Sequence, residues 1–239
     1  MGYIEDTGED TKSLKKIVRK KVLTLRDNIS AANRAEYDAR IREIVMGMKE
    51  YREAEVILTY VSYKSEVDTT MLIQQALQDG KNVFTPKVSG NEMEFWRITA
   101  MEDLREGYRG ILEPAQSITF PDWIMKYTDG TDADTDINIG VDRESTSKVC
   151  KVMMWMPGAV FDTERHRIGY GGGYYDKYLN RLSDISNQTA SSEKQRLHVG
   201  HFKLITEALA YHCQILERIP YEEHDVKPDF LITERGIYT

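Results

Sequence analysis

The sequence predicts an α/β protein, a single three-layer domain spanning 1–239 in which a mainly parallel central sheet is flanked by helices. Its 239 residues, 41% hydrophobic and 30% charged, suit one globular domain of this size. The segment 56–61, VILTYV, is β-branched and apolar on both faces, which is typical of a strand buried in a parallel sheet. A helical segment and a second strand follow it, and together they make a β-α-β unit.

The segment 12–26 is predicted to be an amphipathic helix. At about 100° per residue, its apolar and basic side chains occupy opposite arcs. The apolar arc contains Leu14, Ile17, Val18, Val22 and Leu25, and the basic arc contains Lys12, Lys15, Lys16, Arg19 and Arg26. A basic arc of this kind is either a solvated surface, which is the more usual case, or a face that binds a polyanion.

The remaining elements follow from periodicity and capping signals. Ser30 is expected to cap a second helix that ends near Tyr51. Further strands are predicted at 82–85, 93–98, 149–156 and 229–233, and further helices at 68–78 and 204–214. The polar segments 128–148 and 183–194 lack apolar periodicity and are expected to be surface insertions, and 1–11 is expected to be flexible.

Composition argues against several classes of protein. The net charge of -7 argues against a surface devoted to nucleic acid. The longest apolar run, 152–161, is about half of the ~20 residues that a membrane span needs, so no membrane partner is expected. Two cysteines and an acidic N-terminus without an apolar core indicate free thiols and a cytoplasmic location. The aspartates at 132, 134 and 136 are spaced as in a calcium-binding loop, but the glycine and the glutamate that such a loop needs at fixed positions are missing.

A glycine-rich loop is the strongest local signal of chemistry. In MPGAVFDTERHRIGYGGGYYDKYLNR, residues 156–181, an apolar strand leads through four glycines into a helix. Such glycines let successive N–H groups face an anion, and phosphate is the natural ligand. Arg167 before the loop adds a fixed cation, and Asp176 after it offers a ligand for nucleotide-bound Mg²⁺. The spacing fits neither a Walker A loop nor a dinucleotide-binding fingerprint, and a flexible turn remains the plain alternative.

This run closely resembles the signature of the 5-formyltetrahydrofolate cyclo-ligase family, because RIGYGGGYYD follows MPGAVFD. Three further segments support the resemblance in the right order: the basic helix before Ser30, TYVSYKSEVDT, and EEHDVKPDFLITERG. Together they cover most of the chain outside 128–148 and 183–194. The resemblance implies the type of three-layer sheet that sugar-phosphate isomerases and CoA transferases also use.

The resemblance also implies a reaction. The formyl oxygen of 5-formyltetrahydrofolate attacks the γ-phosphate of ATP, which gives an N5 iminium phosphate and ADP. N10 then closes the ring, and loss of phosphate leaves 5,10-methenyltetrahydrofolate. ATP is the co-substrate and Mg²⁺ the expected cofactor, no protein nucleophile is needed, and a monomer or weak dimer is expected.

Residue roles come from the same resemblance. Lys15 and Arg167 are the expected catalytic residues, and Lys15 and Arg19 are i,i+4 neighbours that can face one polyanion. The implied ATP site is Lys15, Arg19, Arg167, Ile168, Gly169, Tyr170, Gly171, Gly172, Gly173, Tyr174 and Tyr175. The implied folate site is Val61, Glu66, Tyr170, Gly171, Gly172, Gly173 and Tyr174, and the implied metal ligands are Asp176 and Asp229.

Two other functions stay open at this point. A sugar-phosphate isomerase or CoA transferase on the same kind of sheet would need an enediolate base or a catalytic glutamate and would not use ATP. An RNA-binding or nucleotide-responsive module could use the basic helix and the Gly/Tyr loop. Some family members also carry Arg and Lys where this chain has Tyr170 and Gly172, which places more of the phosphate charge on Lys15, Arg19 and Arg167.

Overall fold

A seven-stranded sheet lies at the centre of the computed structural model, which describes residues 11–107, 110–115, 117–129, 149–188, 202–222 and 225–239. In these residues the strands are β1 (Val56–Thr59), β2 (Asn82–Ser89), β3 (Glu92–Ile98), β4 (Leu104–Glu106), β5 (Leu112–Pro114), β6 (Cys150–Met156), β7 (Val160–Asp162), β8 (Arg167–Ile168), β9 (Phe202–Leu209), β10 (Ile215–Leu216), β11 (Phe230–Thr233) and β12 (Gly236–Tyr238). The helices are α1 (Thr11–Asp27), α2 (Ala31–Gly47), α3 (Lys49–Glu53), α4 (Thr70–Gln78), α5 (Phe120–Asp129) and α6 (Tyr174–Gln188).

The strand order of the large sheet is β12-β11-β9-β6-β1-β2-β3. The inner strands run parallel, and antiparallel pairs close both edges, β3 against β2 and β12 against β11. This confirms the predicted mainly parallel sheet, with β6 at its centre. A small sheet of β10-β7-β8 and the β4-β5 hairpin lie outside it.

Two apolar layers cover the faces of the sheet because alternate strand residues point to opposite sides. On one face Ile57 and Trp155 pack with Ile41 and Val45 of α2 and Leu72 of α4. The other face packs against α5 and α6, through buried side chains that include Val56, Leu58, Phe84, Trp123, Met154 and Tyr178. Helices therefore lie on both sides, as a three-layer α/β fold requires.

The N-terminal helix differs from the prediction in the face that it buries. Val18, Val22 and Arg26 are buried, whereas Ile17 and Leu25 are 56% and 49% exposed. The buried residues are spaced at i, i+4 and i+8 along the helix, and the third of them is basic. The prediction that the apolar arc faces inward and the basic arc faces outward was wrong, because Arg26 is buried among polar partners at the site.

Three boundaries also differ from the prediction. The segment predicted as a helix at 204–214 is β9 followed by a short 3-10 helix at His212–Gln214, because β9 fills the gap between β6 and β11. Helix α6 continues to Gln188, so 183–188 is helical rather than loop. Met48 divides the second helix into α2 and α3, and Ser30 does cap α2, since its Oγ accepts from the N–H of Asn33.

The predicted flexible and inserted segments fall mostly on residues outside this description. Residues 1–10, 130–148 and 189–194 are not among the described ranges, so the calcium-loop comparison and most of both insertions lie there. Helix α1 begins at Thr11 and α5 reaches Asp129, so residue 11 and residues 128–129 are helical. Within the described ranges, every helix is too short or too polar to cross a membrane.

Candidate active site

The glycine loop connects the small sheet to α6 at the carboxyl end of the central strands, the usual ligand edge of an open α/β sheet. β8 ends at Ile168, whose side chain is buried, and α6 begins at Tyr174. Gly171 and Gly173 have φ values of 107° and 63°, a region that L side chains rarely adopt. The loop therefore needs glycine at these two positions to keep its shape.

Helix α1 carries two predicted cations of the site, and one of them, Arg19, contacts the glycine loop. Nε of Arg19 donates to the carbonyl oxygen of Gly169 at 2.7 Å. A Cβ atom built on Gly171 would lie 3.7 Å from Nη1 of the same guanidinium. Lys15 instead contacts the later segment, with Nζ 2.7 Å from Oε2 of Glu222 and 2.6 Å from Oδ2 of Asp225. Although burial acts to lower the pKa of Lys15, these two carboxylates together raise it.

Arg167 is buried behind the loop and is paired with Asp176. Its Nη2 lies 2.8 Å from Oδ1 of Asp176, and its Nη1 donates to the carbonyl oxygen of Pro157 at 3.4 Å. Its Nε is buried and has no hydrogen-bond partner within the described ranges. A buried donor without an acceptor is costly, so this N–H is suited to an oxygen atom of a ligand.

One predicted metal ligand, Asp176, contacts the late segment that contains the other, Asp229. Oδ1 of Asp176 also accepts from the backbone N–H of Val226, three residues before Asp229. Asp229 is exposed, and its Oδ2 accepts from the N–H and hydroxyl of Thr206 at 2.8 and 2.9 Å. Among the residues described, no three His, Cys, Asp or Glu side chains form a metal cluster. A pair of carboxylates suits Mg²⁺, which usually takes one or two from the protein and the rest from phosphate and water.

A partly buried carboxylate, Glu66, lies beside the loop. Glu66 follows β1, and its Oε2 accepts from the N–H of Tyr63 at 2.9 Å. Burial raises the pKa of Glu66, whereas the Tyr170 hydroxyl, the Tyr63 N–H and the charge of Arg26 oppose that rise. Burial and the charge of Glu66 likewise raise the pKa of Tyr170, so that hydroxyl stays protonated and can donate. Val61, two residues beyond the end of β1, is buried in the core.

The tyrosines of the loop have different surroundings. Tyr174 covers Gly172, where an added Cβ would lie 2.4 Å from the Tyr174 ring, and its hydroxyl reaches the carbonyl of Gly90 at 3.5 Å. Tyr175 packs edge-on against Phe95. Tyr170 is 45% exposed and belongs to the group around Glu66.

Sequence reasoning missed three residues of this site. Arg26 donates from Nη1 to the Tyr170 hydroxyl at 2.7 Å and from Nε to the Ser65 hydroxyl at 3.0 Å. Arg34 of α2 donates to the Ser65 carbonyl at 2.6 Å. The available signal was that Arg26 lies four residues after Val22 and eight after Val18, which places a cation on the apolar stripe.

Proteins of one known family are similar to this chain over most of its length. The 5-formyltetrahydrofolate cyclo-ligase family matches residues 11–127 and 140–234. The mouse 5-formyltetrahydrofolate cyclo-ligase is 28% identical over 208 residues, 86% of this chain and 86% of its own. The mitochondrial 5-formyltetrahydrofolate cyclo-ligase of Arabidopsis thaliana is 30% identical over 236 residues, 93% of this chain and 75% of its own.

A solved structure shares the architecture. The 5,10-methenyltetrahydrofolate synthetase of Aquifex aeolicus superposes with a TM-score of 0.67 at 26% identity, over 94% of this chain and 91% of that one. The family match covers nearly the whole described chain, including the glycine loop, α1 and the segment around Glu66. The chain therefore belongs to the 5-formyltetrahydrofolate cyclo-ligase family.

Proposed function

We propose that this chain converts 5-formyltetrahydrofolate and ATP into 5,10-methenyltetrahydrofolate, ADP and phosphate. The observation that carries the proposal is that a cationic glycine loop and a partly buried carboxylate, Glu66, meet at one end of the sheet. Tyr170 belongs to the loop and interacts with Glu66. The arrangement supports a nucleotide on one side of Tyr170 and a folate on the other.

The glycine loop and three cations serve the phosphates. Backbone N–H groups at 169–173, the buried guanidinium of Arg167 and the guanidinium of Arg19 are fixed before the ligand arrives. Lys15 is held nearby by carboxylates that it can exchange for phosphate oxygens. Pre-positioned donors stabilise the charge that spreads over a transferring phosphoryl group, and they do so without reorganising during the reaction.

Glu66 serves the folate. A carboxylate accepts hydrogen bonds, and the pterin ring presents an edge rich in N–H donors. Fixing the folate there would direct its formyl oxygen at the γ-phosphorus, so positioning rather than a protein nucleophile supplies the catalysis. N10 then attacks the formyl carbon, and the phosphate leaves.

Asp176 and Asp229 are proposed to hold Mg²⁺. Both offer hard oxygen ligands, and the segment that carries Asp229 also contacts Asp176 through Val226. When bound, the ion would neutralise phosphate charge. Asp176 has a second task, since it orients Arg167 through the 2.8 Å ion pair.

The location and the partners of the protein are predicted from its charge and composition. A cytoplasmic location, a monomer or weak dimer and a lack of nucleic-acid partners remain predictions from charge and composition. The similar Arabidopsis thaliana protein is mitochondrial by name, so related enzymes are not confined to one compartment. A single domain over 1–239 likewise remains a prediction.

The test is absorbance in the methenylfolate band after mixing the protein with 5-formyltetrahydrofolate and MgATP. Controls lack ATP or contain EDTA. We expect the band to grow only when both ATP and magnesium are present. A folded protein that binds ATP but forms no band would contradict the proposal and would favour an isomerase or a transferase on the same sheet.

A further inference from the structure

A buried cation links α1 to the folate side of the site. Arg26 is 4% exposed, in the last turn of the helix that also carries Lys15 and Arg19. Its Nε donates to the hydroxyl of Ser65 and its Nη1 to the hydroxyl of Tyr170. Its Cζ also lies 5.7 Å from the centroid of the Tyr170 ring.

The charge of Arg26 is compensated through hydroxyl groups and not by a direct ion pair. No carboxylate lies within ion-pair distance of it among the residues that the structure describes. Two hydroxyl groups stand between it and the nearest acids: Ser65 donates to Asp27, and Tyr170 interacts with Glu66. Burying a guanidinium costs several kcal/mol unless it is well compensated. An apolar side chain that only filled the space would avoid that cost. We therefore expect the buried cation to have a function at this position.

The same contacts fix the loop that carries Glu66. Ser65 is held through its hydroxyl by Arg26 and through its carbonyl by Arg34, at 3.0 and 2.6 Å. Arg34 also donates to the carbonyl oxygen of Arg26 at 3.0 Å. The residue before Glu66 is thus anchored to the ends of two helices, while Tyr170 approaches Glu66 from the glycine loop.

We propose that Arg26 is a positioning residue that presents the Glu66 carboxylate to the pterin ring, acting through Ser65 and Tyr170. This rests on the proposed function. Because Tyr170 belongs to the glycine loop, Arg26 also fixes the nucleotide side relative to the folate side, which in-line phosphoryl transfer to the formyl oxygen requires.

Electrostatics support the same role. Burial favours the protonated form of Glu66, and the Tyr170 hydroxyl, the Tyr63 N–H and the charge of Arg26, in that order of size, favour the ionised form. Among the described residues, Tyr60 and Tyr175 interact electrostatically with Glu66 and the Tyr211 hydroxyl donates to its carbonyl oxygen. The raised pKa values of these three tyrosines leave them uncharged at neutral pH. Arg26 is the cation that opposes burial there. Without it the carboxyl would keep its proton to a higher pH and would accept N–H bonds poorly.

The test compares Arg26→Gln and Arg26→Lys with the wild-type protein, with Lys20→Gln as a control at an exposed position of the same helix. We expect Arg26→Gln to raise KM for 5-formyltetrahydrofolate about tenfold at pH 7, with KM for ATP changed less than twofold. The KM ratio of variant to wild type should fall as pH rises from 6 to 9. Arg26→Lys should recover part of the loss, since it keeps the charge but not the fork.

A second variant keeps the proposal testable if Arg26→Gln folds poorly. Tyr170→Phe removes one hydroxyl from a half-exposed residue, and it should raise the folate KM in the same direction. The double variant should be no worse than the more affected single one, because both break one chain of contacts. An unchanged folate KM in folded variants, or a KM ratio independent of pH, would overturn the proposal. Wild-type turnover is measured first, so a failure of the proposed function is recognised separately.

Discussion

Nζ of Lys15 lies 2.6 Å from Oδ2 of Asp225, and this ion pair links the first helix to the segment before β11. Glu222 makes a second contact at 2.7 Å. Under the proposed function, in which Lys15 binds the ATP phosphates, two carboxylates compete with phosphate for the same ammonium group. The pair also orders both segments before ATP binds. The affinity for ATP is therefore set partly by the release of Lys15.

The first prediction concerns this competition. Glu222→Gln should lower KM for ATP about two- to fivefold, because it removes one acid from Lys15 and leaves Asp225 to hold it. The effect is small because Glu222 is half-exposed, and exposed pairs contribute at most about 1 kcal/mol. Steady-state kinetics at low salt measure it. Glu217→Gln, exposed in the same segment, is the control and should leave KM unchanged.

The second prediction concerns the geometry of Arg167. Arg167→Lys keeps the charge but loses the planar fork that binds Asp176 and Pro157, and with it the unpaired Nε donor. We expect kcat/KM to fall about 100-fold, in line with the loss of one donor to a developing anion. Arg218→Lys, at an exposed position, is the matched control. Equal activity in the two variants would remove Arg167 from the catalytic site.

The third prediction separates backbone strain from function in the glycine loop. Gly171 and Gly90 both have positive φ values, 107° and 59°, and only Gly171 has a cation near the position of an added Cβ. Alanine at either site should cost about 1–2 kcal/mol of folding free energy. Only Gly171→Ala should also raise KM for ATP, by tenfold or more. Thermal unfolding and kinetics on both variants test this, and a normal ATP KM in Gly171→Ala would contradict it.

The sheet was predictable because its strands carry their own signal. The run at 56–61 is β-branched and apolar on both faces, and only the interior of a parallel sheet accepts such a strand. β9 was not predictable in this way. Its residues Glu207, Ala208 and Leu209 suit a helix locally, and pairing with β6 and β11 decides the outcome.

The part of the site that a single sequence motif forms was predictable. The part in which side chains from distant segments meet was not. The glycine loop identifies itself by composition, and Arg167 and Asp176 flank it in sequence. Arg26 and Ser65 are 39 residues apart, and neither segment indicates that they share a hydrogen bond. A basic residue on an apolar stripe was the one local sign that α1 turns a cation inward.

The fourth prediction concerns Glu207, a carboxyl group in the middle of the sheet. It is fully buried, its Oε2 accepts from Nε1 of Trp155 at 3.0 Å, and its Oε1 has no hydrogen-bond partner within the described ranges. Burial raises the pKa of Glu207 to about 8, so the folded protein holds a proton there that the unfolded chain releases near the ordinary pKa of 4.5. Because the folded state binds more protons than the unfolded state in that window, the free energy of unfolding must fall as pH rises from about 4.5 to 8.

Glu207→Gln should remove this dependence, since the amide has the same shape, can accept from Trp155 and does not ionise. We expect the variant and the wild-type protein to be similarly stable near pH 5. The difference should then grow by roughly 1.4 kcal/mol per pH unit at most, until it levels off above the folded pKa. Urea unfolding at pH 5, 7 and 9 measures it, with Glu217→Gln as the exposed control. If the stability of Glu207→Gln and of the wild-type protein changed with pH in the same way, the carboxyl group would already be ionised in the folded protein. The polar neighbours of β9 would then stabilise its charge more than burial destabilises it.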